Sequence, residues 1–364
     1  MKSVGTVARW ATALATAGAL LGVSAAVAQA APVAGTEGLV ELGTMGLEPG
    51  GPLLSPDGSR AYAVADDTDL HLRVHVVNTV KDRTVATVDL GLSYHSRQRP
   101  ALSADGSRLY VVNGQTLSVI DTARHRVVST VTLPDEPRPT GWGPGVTGAL
   151  AVNGSTVYVA QDGPAPGTSA PTQGRVWAVD TVHLAVTGSA VLPGGQALSL
   201  VVRPGGRSAY VSTEVGIVHL ALTTAAAPTV AATVPDSAHM DGLALTPGGG
   251  ALYAVNDVAD GTGLRVDLDH DTVTARLALT SGYSQLGNPV VSADGTRLYV
   301  TDGYPADDPA VLAFDTATGR EVPAEDVHGF DLSTFDGLAI GPDGETMYAT
   351  GMDDNGSGLQ IFDF

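Results

Sequence analysis

Seven tyrosines recur at one place in seven imperfect copies of a single unit, and no other feature limits the fold of this chain as sharply. They are Tyr62, Tyr110, Tyr158, Tyr210, Tyr253, Tyr299 and Tyr348, each four residues after a turn glycine (Gly58, Gly106, Gly154, Gly206, Gly249, Gly295 and Gly344). Successive tyrosines lie 48, 48, 52, 43, 46 and 49 residues apart. A period in the forties with strand-like segments inside each unit is the signature of a propeller built from four-stranded blades. Seven copies predict an all-β, seven-bladed β-propeller forming one domain over residues 39–364, with a short linker at 31–38.

Within each copy an apolar stretch leads into a turn, then the tyrosine strand, then a third strand ending in Asn78, Asp121, Asp180, Asp267, Asp315 or Asp363. Ala221 is the exception, in the fourth copy. The turns read Asp57-Gly58, Asp105-Gly106, Asn153-Gly154, Asp294-Gly295 and Asp343-Gly344. Such pairs suit tight hairpins, because glycine accepts positive φ and Asp or Asn tolerates it. A fourth strand closes the unit, as in Val85–Leu90 and Val127–Leu133, where β-branched residues alternate with polar ones. The seventh copy stops at its third strand, Gly358–Phe364, whereas Leu39–Leu47 reads as a fourth strand with no unit of its own. Pairing the two closes the ring of antiparallel blades and leaves no exposed sheet edge inside it.

The wording of the repeats resembles a known family. Tyr-Val-Val-Asn at 110–113 and Tyr-Ala-Val-Asn at 253–256, followed by Ser118-Val119-Ile120-Asp121 and Arg265-Val266-Asp267, are similar to the YVTN-type β-propeller repeat. That repeat occurs in surface-layer-associated and YncE-like secreted proteins and, more distantly, in lactonase-type propellers. The resemblance spans about residues 39–364. It implies a fold and carries no catalytic residue over, since fold does not imply function.

Residues 1–30 read as a cleaved export signal: Lys2 and Arg9, an apolar stretch from Trp10 to Val27, then Ala28-Gln29-Ala30. The expected location is therefore secreted or extracellular. No later apolar run reaches the roughly 18–20 residues of a membrane-spanning helix, so no membrane insertion is expected. The chain has no cysteine, which leaves burial and ring closure to stabilise it. Its formal net charge is −19, and −21 beyond residue 30, since that segment holds two basic residues and no acid. Nucleic acid is an unsuitable partner for such a surface. A monomer that binds an extracellular protein, a glycan or a small molecule fits better.

Chemistry is expected on the face formed by the loops between second and third strands and by the crossovers between blades. There Asp241, Asn288 and Asp336 stand at the start of the inner strands of blades five, six and seven. Their oxygens suit Ca²⁺ or Mg²⁺; equally, they suit bonding to their own loop backbones. His95, His239 and His328 fall on the same loops, as metal ligands, as a general base or as ordinary loop histidines. Arg97 and Arg99 in blade two would face the acidic side, in a bipolar arrangement for a small acid or ester, or pair with neighbouring acidic loops. Blade three carries two long loops, Pro134–Thr147 with Trp142, and Gln161–Gly174. Each is a lid, or an insertion without a role. Tyr94, Tyr283 and Tyr304, the tyrosines outside the repeat, lie on this face too. His71, His75, His125, His183, His219 and His270 fall on strands or opposite turns and read as structural, as do the repeat tyrosines and third-strand aspartates. Two functions follow: a binding module using this face, with Arg99, Trp142, Asp241, Tyr283, Asn288 and Asp336 as contacts; or a metal-assisted hydrolase or lyase of a small cyclic ester, with His239 or His328 as base.

Overall fold

The computed structural model describes residues 36–44, 50–94, 99–136, 138–165, 172–223, 227–256, 261–279, 286–303 and 309–364. Their strands form seven antiparallel sheets, each drawn from one consecutive stretch of chain: 53–92, 101–132, 147–191, 199–233, 242–278, 286–315 and 337–363. The last sheet takes its outer strand, Thr36–Thr44, from the other end of the chain. Leu39 pairs with Gln360, Val40 with Leu359 and Glu41 with Gly358. Closure therefore holds as the sequence implied, with the strand beginning at Thr36; Met45–Leu47 lie outside the described residues.

Burial follows the ring. Seven separate apolar clusters each join residues of two successive blades. The one at the seam packs Val40, Leu42 and Tyr348 of blade seven against Ala61, Ala63 and Val77 of blade one. Because side chains alternate along a strand, each tyrosine faces the following blade while its immediate neighbours face the preceding one. Phenolic hydroxyls complete these interfaces. Tyr210 donates to the Leu268 carbonyl (3.2 Å) and Tyr253 to the Thr316 carbonyl (3.1 Å), each in the next blade. Tyr62 bonds with the Thr122 hydroxyl, and Tyr348 with that of Thr79 across the seam. A buried tyrosine needs such a partner, which accounts for tyrosine rather than phenylalanine at these four positions.

The hairpin turns work differently from the expected Asp-Gly pair. Gly58 and Gly106 hold φ of +69°, but the preceding aspartates are not in the left-handed region. Asp57 acts through its carboxylate instead, accepting from Ser55 Oγ (2.6 Å) and from the Ser59 backbone (3.1 Å). Asp105 and Asp294 repeat the arrangement. These bonds hold all three carboxyls down at about 2. The glycine is doubly required: a Cβ at Gly106 would stand 2.5 Å from Pro56 of the preceding blade, and one at Gly58 would stand 2.8 Å from Pro342.

Blade six departs from the four-stranded pattern. It has three strands, and residues 321–327 cover its edge through two isolated bridges, Phe314 with Glu321 and Val311 with Val327. Between the bridges Pro323–Glu325 forms a 3₁₀ turn. Pro323 has no N–H to give to the ladder, so a regular strand cannot run through it.

Candidate functional site

Asp241 and Asp336 occupy equivalent places. Each directly precedes the glycine (Gly242, Gly337) that pairs with the residue two beyond the repeat tyrosine, Val255 or Thr350. Their backbone N–H groups donate to those same residues, at 2.9 and 2.8 Å. In blade six Gly287 holds the paired place opposite Thr301, so the equivalent of the two aspartates is the buried Leu286. Asn288 follows the glycine, in an irregularity of register between Gly287 and Val290, with φ of +47°. Asparagine tolerates that conformation better than most side chains. Its Nδ2 lies 3.3 Å from Thr301 Oγ1. The three oxygen donors thus do not form an equivalent set on consecutive blades. Among the described residues no group of three or more His, Cys, Asp or Glu side chains is gathered as a metal-holding cluster.

Of the predicted histidines and arginines, His239, His328 and Arg99 are among the described residues, each at a different blade. His239 is exposed in the loop before blade five, at φ of +60°. Exposed His328 acts electrostatically on Asp326 and Glu321, beside the covered edge of blade six. Arg99 is half-buried, and its carbonyl accepts from Leu150 of blade three (3.1 Å). His95, Arg97, Tyr283 and Tyr304 lie outside the described residues. Tyr94 is exposed, with its N–H on Asn113 Oδ1 at 2.8 Å.

Blade three holds the most developed arrangement on this face. The loop ahead of its first strand doubles back through Arg138, whose Nε donates to the Trp142 carbonyl (3.0 Å). Glu136, fully buried at its side chain, lies 2.7 Å from Arg175 Nε, a close ion pair with poor hydrogen-bond alignment. Burial pushes the Glu136 carboxyl above the usual range, and Arg175 pulls against that shift. The Arg175 guanidinium sits over Trp177, 5.2 Å from the ring centroid. Trp177 Nε1 donates to Gln161 Oε1 (2.6 Å), and Gln161 Nε2 donates to the Gly145 carbonyl (3.0 Å), returning to the same loop. The second long loop is stitched on as well, by Asp162 N–H to Val146 O (2.9 Å) and Gly143 N–H to Ala165 O (3.2 Å). A Cβ on Gly145 would lie 1.7 Å from the Asp162 carbonyl, so that close approach requires glycine. Asp162 Oδ1 and both Glu214 oxygens then receive backbone N–H groups of Gly195, Gln196 and Ala197.

This bracing leaves an open depression of about 530 Å³ lined by Asp135, Glu136, Arg138, Pro139, Thr140, Gly141 and the half-buried Trp142. Among the described residues no helix is long and apolar enough to cross a membrane. Sequence reasoning found Trp142 and missed Glu136 and Arg175, which the chain separates by 39 residues and the fold brings together. A charged residue inside a Pro/Gly-rich loop was the available signal.

No protein-family model matches the chain, and a search of curated proteins found no match either. Among solved structures it is similar to a chain of Kuenenia stuttgartiensis hydrazine synthase, with a TM-score of 0.66 over 85% of this chain and 94% of that one, at 16% identity. This likeness is one of fold: the molecule is a seven-bladed β-propeller. As 1523 chains of solved structures share such similarity, shape by itself selects no activity.

Proposed function

We propose that this chain is an exported binding module of the YVTN/YncE-like type and that it recognises a polar ligand, a glycan above all, at the blade-three loops. The observation that carries this reading is the fixed presentation of Trp142. Its loop is anchored by the buried Glu136 with its partner Arg175 and by the Trp177–Gln161–Gly145 chain. Preorganisation reduces the cost of ordering a loop on binding. An indole beside carboxylates and a guanidinium offers both a stacking face and hydrogen-bond partners for hydroxyl-rich rings. Screening the mature protein on a glycan array and repeating it with Trp142→Ala tests this: the expected result is a hit weakened at least tenfold by the substitution. Hits indifferent to Trp142, or none, would remove the proposal.

The hydrolase reading has less support, because Asn288 is displaced from the places held by Asp241 and Asp336 and its amide is turned to Thr301. A thermal-shift titration with Ca²⁺ or Mg²⁺, repeated on Asp241→Asn with Asp336→Asn, tests cation binding; a shift present only in the unaltered protein would revive it.

A further inference from the structure

Blade four departs from the commoner residues at two third-strand positions, and these meet Ser208 at one point of its interface with blade five. Two residues before the tyrosine, blades one, two and six carry Arg60, Arg108 and Arg297, blades three, five and seven carry Thr156, Ala251 and Thr346, and blade four carries Ser208. Opposite the tyrosine on the third strand, where four other blades place Val76, Val119, Ala178 and Ala313, blade four places His219. The third-strand aspartate is replaced by Ala221. Blades two and six use the arginine and aspartate as an ion pair, Arg108–Asp121 and Arg297–Asp315. Blade four has instead a chain of three groups: Ser208 Oγ lies 3.0 Å from His219 Nε2, and His219 Nδ1 lies 2.7 Å from Asp271 Oδ2.

We propose that Ser208, His219 and Asp271 form a nucleophilic triad for small acyl esters, with Ser208 the attacking group, His219 its general base and Asp271 the residue that positions the imidazole. Proton placement follows from the partners. An ionised carboxylate only accepts, so Nδ1 carries the hydrogen and the Nε2 lone pair faces the serine hydroxyl. That is the tautomer a base requires, in the order nucleophile, base, orienting acid. The imidazole is held flat against the Tyr210 ring, 4.8 Å between centroids and 17° between planes. The Tyr210 hydroxyl shares its single hydrogen between the Leu268 carbonyl and the other carboxylate oxygen, Asp271 Oδ1, 3.0 Å away. Asp271 enters from the turn between the third and outer strands of blade five, at φ of +52°.

Joining two blades does not require this chain, since Tyr253 reaches the Thr316 carbonyl of the next blade with no histidine between. The His219 and Asp271 side chains also remain 18% and 21% exposed, so the base is within reach of solvent. In the proposed reaction Ser208 Oγ bonds to the ester carbonyl carbon as its proton passes to Nε2. The carbon–alkoxide bond then breaks, and the leaving alkoxide takes that proton. Water, deprotonated by the same nitrogen, repeats the attack, releases the acid and restores the serine.

A fluorophosphonate probe tests nucleophilicity directly, through a Ser208 Oγ–phosphorus bond formed as fluoride leaves. The expected result is modification mapped to Ser208, faster in the native chain than in urea. Folded His219→Asn should slow it by about 10²–10⁴-fold. A Ser208 labelled no faster in the native chain than in urea overturns the proposal, as does an unchanged rate in folded His219→Asn. Should that variant unfold, the native-against-urea comparison on the unaltered protein decides alone.

Discussion

A phenylalanine at Tyr210 or Tyr253 would fill the same space but would leave a carbonyl of the next blade unserved. Tyr253→Phe removes the bond to the Thr316 carbonyl and little else. The expected loss is about 1 kcal/mol, the net worth of a typical protein hydrogen bond, read by urea unfolding with the fold unchanged by circular dichroism. The tyrosine was legible in the sequence because it repeats; its partner was not, because it lies 63 residues on, in another blade. His75 is a second case where burial decides. It is almost fully enclosed in blade one, and desolvation lowers its pKa from 6.5 to about 4. The unfolded chain then binds a proton that the folded one refuses between those values. Stability from this group is therefore complete above about 6.5 and is lost as pH falls toward about 4. Melting temperatures measured from pH 7.5 to 4.5 should fall more steeply for the unaltered chain than for His75→Gln.

The blade-three loop depends on an ion pair whose carboxylate member, Glu136, is fully buried, while Arg175 keeps 17% of its side chain exposed. Removing Arg175 leaves the Glu136 carboxylate buried and uncompensated, which costs about 3–5 kcal/mol where no relaxation relieves it. Arg175→Ala should therefore destabilise the chain and release the loop, raising hydrogen exchange across 135–146 specifically. Arg175→Ala with Glu136→Gln should recover much of the stability, because no buried charge then remains. The irregular edge of blade six responds to pH in the opposite sense from His75. Burial is the largest influence raising both Glu321 and Asp326, which also share a hydrogen bond. Folded values above the ordinary 4.5 and 3.8 mean that stability from this pair is full below that range and is lost as pH rises through the folded values. Glu321→Gln should blunt that loss, measured as exchange at residues 321–327. Neither element was readable from periodicity. Pro323 interrupts an outer strand that the repeat pattern supplied, and the extra residue at Asn288 shifts register without altering the apolar pattern around it. The triad in blade four stayed hidden for a related reason. His219 and Asp271 stand 52 residues apart, and only the abutment of two blades joins them.

Ring closure binds the whole assembly, since each of the seven apolar clusters needs two blades and the seam needs both ends of the chain. Deleting residues 31–48 removes the outer strand of blade seven and exposes the edge of Gly356–Asp363. Val40 and Leu42 leave the seam cluster, each contributing about 1.5–3 kcal/mol of burial. Backbone groups that lose their ladder partners without gaining water cost about 1–3 kcal/mol each. Against a typical net stability of about 5–15 kcal/mol, these losses are comparable with the whole. The open edge adds a second hazard, because unpaired strand groups beside Ile361 and Phe362 form a template for a neighbouring molecule. The deletion should therefore aggregate, or melt far below the intact chain, in a light-scattering and thermal-melting series. Trimming only residues 31–35 should change little, because Thr36 is the first residue of the closing strand. A peptide of residues 36–48 added back should restore part of the lost melting temperature in proportion to its concentration, as a missing strand would. If the long deletion melts with the full chain, the ring does not depend on this strand, and the stability of blade seven must reside in Gly337–Asp363 alone.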